Sequence, residues 1–117
     1  MEGLTHHEKE NRPWGDFERF TLNEKTTVKI ITVHRGESLS LQTHEHREEF
    51  WRVVSGNGIF HVGEENHQVK TGDTIFIPCH CKHRATGGTD DLVFLEIAFG
   101  DFDENDITRL EDSYGRA

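Results

Sequence analysis

The chain has 117 residues, 32% of them hydrophobic and 30% charged, enough for one compact core with nothing left for a second. Its 22 acidic and 13 basic side chains give a formal charge of −9, which argues against nucleic acid or an anionic membrane as partner, since both need Lys and Arg to neutralise phosphates. No window approaches the ~18 uncharged apolar residues of a membrane span, and the polar start of the chain lacks an apolar signal segment, so a cytoplasmic location is expected.

Residues 1–11 are polar and without periodicity and read as an arm, with 12–117 as one domain. After Arg12-Pro13-Trp14-Gly15, short β-type runs follow at 17–21, 27–33, 38–43, 49–54, 58–62, 67–70, 74–77, 83–85 and 92–99. Turn signals separate them, among them Arg35-Gly36, Ser55-Gly56-Asn57-Gly58 and Thr71-Gly72-Asp73. Many short strands with such punctuation predict an all-β sandwich or barrel. Phe17, Phe20, Phe50, Trp51, Phe60, Phe76, Phe94 and Phe99 are its expected core. In the tail, Asp103 or Asn105 can cap a turn, and Ile107, Leu110 and Tyr114 fall at i, i+3 and i+7, which predicts one short helix.

Cys79 and Cys81 stand too close for an unstrained disulfide and read as reduced thiols at a pocket rim. His6, His7, His34, His61 and His67 read as surface residues. The informative stretch is Leu39-Ser40-Leu41-Gln42-Thr43-His44-Glu45-His46. In a strand Gln42, His44 and His46 share one face, with Leu39 and Leu41 on the other. An inward row of imidazoles in a small barrel calls for a partner, and a divalent cation is the usual one. A distant segment, with a turn at Gly72, a buried apolar strand, a second turn and then His83, can supply the second half of the site.

The paired spacings resemble the two motifs of the cupin superfamily. The first runs Gly36, five residues, Gln42-x-His44, four residues, Glu49, six residues, Gly56. The second runs Gly72, five residues, Pro78, four residues, His83. A closer resemblance is to the C-terminal cupin domain of type II mannose-6-phosphate isomerases, often fused to a mannose-1-phosphate guanylyltransferase. It is carried by Arg12-Pro13-Trp14-Gly15, by Ser40-Leu41-Gln42-x-His44-x-His46-Arg47-x-Glu49-x-Trp51, by Lys82-His83-Arg84 and by Asp106-Ile107-x-Arg109-Leu110-Glu111-Asp112-x-Tyr114-Gly115-Arg116. The family usually has His where Phe50 stands and Gly where His80 stands, and both residues are expected on the pocket side.

The resemblance implies a cupin double-stranded β-helix, or jelly-roll barrel, and one divalent metal ion, Zn, Mn, Co, Ni or Fe. The implied ligands are Gln42, His44, Glu49 and His83, with His46 as an alternative ligand or proton donor. The implied reaction converts mannose 6-phosphate to fructose 6-phosphate through an enediolate, with His46, Arg47 and Glu49 as catalytic residues and Lys29, Arg47 and Arg84 on the phosphate. A homodimer with an exchanged N-terminal strand is expected by analogy. No segment matches the guanylyltransferase, so the chain is not expected to make a nucleotide sugar by itself. A non-catalytic metal- or sugar-binding cupin and a metal-dependent cupin oxygenase stay open as alternatives.

Overall fold

Valine, isoleucine and aromatic residues alternate with polar ones through most of the chain, a pattern that fits a pleated surface buried on one side. In the computed structural model, which describes residues 3–111, these runs form β1 (Glu8–Arg12), β2 (Gly15–Arg19), β3 (Thr26–Val33), β4 (Leu41–Thr43), β5 (Glu49–Ser55), β6 (Asn57–Val62), β7 (Glu65–Lys70), β8 (Thr74–Ile77), β9 (His83–Gly87), β10 (Leu92–Phe99) and β11 (Thr108–Glu111). A four-stranded sheet has the order β3-β10-β5-β8, and a five-stranded sheet the order β11-β4-β9-β6-β7. All strand pairings are antiparallel.

The two sheets close on one core. Val33, Trp51, Val53, Ile77, Leu92 and Phe94 come from the four-stranded sheet and Phe60, Val69 and Ala85 from the other. Trp51 meets Phe60 edge-on at 4.9 Å between ring centroids, and Phe94 at 4.6 Å. Burial alternates along β10, where Leu92, Phe94, Glu96 and Ala98 lie on the face that carries this core. Leu95 and Ile97 lie on the outer face, with Phe50 of β5, in a second cluster that Leu4 and Phe20 cover. Gly56, between β5 and β6, has φ +82, and a Cβ there would overlap the carbonyl of Asp91, so only glycine closes this turn.

Both chain ends depart from expectation. The polar arm supplies a strand: β1 pairs with β2 from Glu8↔Arg19 to Arg12↔Gly15, and Glu18 of β2 binds Arg52 of β5 at 2.9 Å. Phe17 is therefore not core; it lies on this hairpin with Arg12 5.3 Å over its ring. Among the described residues the short C-terminal helix is not formed. Asp103 caps only a turn, accepting the Asn105 N–H at 2.9 Å, and the chain then runs extended as β11 beside β4. The open edge of β4 offers a ladder of hydrogen bonds that three apolar residues at helical spacing do not outweigh. Tyr114 lies outside the described residues.

Candidate metal centre

The site forms where the two sheets part around buried polar side chains. Directly opposed residues on neighbouring strands share a face, so Arg109↔Gln42↔His83 make one row across β11, β4 and β9. Lys29↔Glu96↔Trp51 make the facing row across β3, β10 and β5. The cavity between these rows holds about 600 Å³ and is also lined by Arg47, Glu49 and Phe102.

His44, Glu49 and His83 are 3%, 1% and 2% exposed, and one donor atom from each lies within 4.8 Å of the others. Their hydrogen bonds decide which atoms are available. The carbonyl of Asp106 accepts a bond from His44 Nδ1 at 2.6 Å, and that of Cys81 one from His83 Nδ1 at 3.0 Å. A carbonyl can only accept, so the proton of each ring sits on Nδ1 and the Nε2 lone pair faces inward. His83 Nε2 is buried and has no hydrogen-bond partner, while Glu49 lies at 3.7 Å from it and 3.5 Å from His44 Nε2. Burial disfavours the charged ring and holds the His83 pKa below its ordinary value. Burial works against ionised Glu49, but His83, His44 and Arg47 outweigh it and keep that carboxyl below its ordinary value.

Two imidazoles and a carboxylate, converging with an orphaned nitrogen and with both Nδ1 atoms anchored, fit a divalent cation. Gln42 lies beside them in register with His83; Ser40 engages its amide nitrogen at 3.1 Å, so the oxygen is the atom it can offer. His46 is not brought into the group. The strand ends at Thr43, and His46 is exposed with its N–H bonded to the Asp106 carboxylate at 3.0 Å. That break in alternation corrects the expectation of a three-residue row.

Arg47 is 9% exposed, donates from Nε to Glu49 at 2.8 Å and lies 4.5 Å over the Phe102 ring. Lys29 Nζ lies 4.3 Å from the same ring. Arg84 is not in the cavity, because alternation with His83 and Ala85 turns it to the other face, where it binds the Leu39 carbonyl at 3.0 Å and Glu111 at 3.6 Å. Phe50 and His80 are also not cavity residues. Phe50 belongs to the outer cluster and borders a separate cleft of about 730 Å³. His80 has φ +67, a conformation that favours glycine, and its ring pairs with Glu45 at 3.2 Å. Cys79 and Cys81 are free and half-buried, and Cys81 packs on the core.

The sequence reading does not assign Glu96, Phe102 or Arg109 to the site, yet all three line the cavity. Glu96 interrupts the inward row Leu92, Phe94, Ala98 and could have been read as a buried charge. Burial first, and then the neighbouring Glu49, push its carboxyl up to about 7. Phe102 and Arg109 enter only through the path of the C-terminal segment, for which a helix was expected.

Two antiparallel sheets wrapped around a His/Glu/His group define a cupin-type barrel. A Klebsiella pneumoniae protein with a double-stranded β-helix domain has the same fold, at TM-score 0.66 and 22% identity over 78% of each chain. Residues 1–112 match the family described as mannose-6-phosphate isomerase C-terminal, and the chain belongs to that family. It is 40% identical to the xanthan biosynthesis protein XanB of Xanthomonas campestris over 114 residues, 96% of this chain and 24% of that protein. It is 37% identical to the mannose-1-phosphate guanylyltransferase ManC of Salmonella typhimurium over 94% of this chain and 23% of that protein. The chain thus spans about a quarter of these relatives. Among the described residues no helix is long and apolar enough to cross a membrane.

Proposed function

We propose that this chain is a metal-dependent aldose–ketose isomerase acting on a sugar phosphate, of the mannose 6-phosphate to fructose 6-phosphate type. The observation that carries this reading is the pairing, in one cavity, of a His44/Glu49/His83 group with the cations Lys29 and Arg47. His44, Glu49 and His83, with Gln42 as fourth, would hold a divalent ion that polarises the oxygens at C1 and C2 of the substrate.

The chain's own residues supply the rest. Arg47 and Lys29, both against the ring of Phe102, make this wall of the cavity positive and would draw an anionic substrate in. Trp51 Nε1 donates to Glu49 Oε1 at 3.1 Å and Arg47 to Oε2, which fixes the carboxylate from two sides. Proton movement between C1 and C2 needs a base facing the cavity. His46 faces solvent, and Glu49 belongs to the ligand group, so Glu96 is the carboxyl placed for that step.

A coupled assay for fructose 6-phosphate formation, on protein stripped of metal and reloaded separately with Zn, Mn, Co, Ni or Fe, tests this reading. Turnover is expected to require metal, and His44→Ala is expected to lose both bound metal, read by elemental analysis, and turnover. Absence of turnover in folded, loaded protein with every metal would refute the isomerase and favour a binding cupin.

A further inference from the structure

We propose that Arg109 is the residue that grips the phosphate of the substrate, a role that the sequence resemblance gives to Lys29, Arg47 and Arg84; this rests on reading the cavity as a sugar-phosphate site. Arg109 stands opposite Gln42, which stands opposite His83, so its side chain enters the cavity on the face that carries the metal group. Its Nε is buried with no hydrogen-bond partner, and a buried N–H without an acceptor is rare enough in folded proteins to demand a reason. An oxyanion supplies one, since Nε and a terminal nitrogen of the guanidinium present two parallel N–H groups that match two phosphate oxygens.

The spacing fits the same ligand. Two strand separations, about 10 Å, lie between the backbones of His83 and Arg109. An extended six-carbon sugar phosphate spans such a gap, with C1 and C2 at the metal group and the phosphate on C6 at Arg109. Lys29 and Arg47 flank the path between them on the ring of Phe102. Arg84, in contrast, is occupied outside the cavity by the Leu39 carbonyl and Glu111.

Calorimetric titration of wild type, Arg109→Met, Arg109→Lys and Arg84→Met with mannose 6-phosphate, mannose and inorganic phosphate tests this, with metal content and thermal melting recorded for each protein. Arg109→Met is expected to weaken mannose 6-phosphate roughly 10- to 100-fold, the range of a lost charge-assisted pair, with mannose binding and metal content unchanged. Arg109→Lys keeps the charge, loses the fork and should fall between; it carries the test if the Met variant does not fold. Arg84→Met should stay within about twofold of wild type. Undiminished mannose 6-phosphate binding by folded, metal-loaded Arg109→Lys and Arg109→Met would overturn the assignment, as would a wild type that binds mannose and its phosphate alike. A wild type that binds inorganic phosphate through Arg109 yet ignores the sugar phosphate would refute the isomerase and keep the anion site.

Discussion

Arg47 touches the Glu49 carboxylate, the Nε2 edge of His44 at 3.2 Å, the Asp103 carbonyl at 3.4 Å and the ring of Phe102. It joins the His44/Glu49/His83 group to the wall of the cavity that carries Lys29 and Phe102. Glu96, on the facing row, sits among these charges with a carboxyl pushed up from its ordinary 4.5 to about 7. A carboxyl raised on folding binds its proton more tightly in the native state, so its contribution to stability is full below about pH 4.5 and is lost as the pH climbs through 7. Glu96→Gln removes that loss. The metal-free variant should be more stable than metal-free wild type at pH 8 by on the order of 2 kcal/mol, with the difference shrinking toward pH 5 in urea melts. A variant less stable than wild type at pH 8 would show that Glu96 is well accommodated as a carboxylate. At this scale the motif spacing made His44, Glu49 and His83 legible before the fold was known. Alternation did not place His46, because it holds only while a strand continues, and the family resemblance did not show that Arg84 turns to the outer face, because which face a residue takes depends on register with neighbours distant in sequence.

The nine runs read from sequence correspond to β2 through β10, with ends that differ by a few residues, since hydrophobic alternation marks strands that bury one face. β1 and β11 left no such mark. β1 is Glu-Lys-Glu-Asn-Arg, and it is a strand only because β2 folds back on it. β11 completes an open edge, and its residues alone also fit a helix. The same logic of faces relocates Phe50. Family resemblance suggested a pocket residue, yet in β5 it alternates with Glu49 and Trp51 and packs outward, 5.3 Å from the Phe20 ring. Phe50→Ala should therefore cost about 3–5 kcal/mol in denaturant unfolding by opening the contact between the N-terminal segment and the sheet. Metal content should not change. Loss of metal from folded Phe50→Ala protein would place this ring in the site after all.

At the scale of the whole molecule, apolar surface is left uncovered at the hairpin and on the outer side of β3. Trp14 at the hairpin is 74% exposed, and Val28 and Ile30 of β3, an edge strand, are 56% and 59% exposed. We propose that a second copy covers this side, giving a homodimer, because a long edge strand with exposed apolar residues is otherwise an aggregation hazard. Light scattering during gel filtration should give twice the 13.5 kDa chain mass, and a monomer at every concentration would refute it. The centre also ties remote parts of the chain together. The acceptor that sets the His44 tautomer is the carbonyl of Asp106, 62 residues further on, and the carboxylate of the same residue holds the N–H groups of Glu45 and His46. Asp106 is thus a latch, and ion affinity and anchorage of the C-terminal strand are two readings of one equilibrium. A cation bound at the inward lone pair of His44 would fasten the segment that carries β11, and by thermodynamic reciprocity whatever prises that segment loose would weaken the hold on the cation by the same factor.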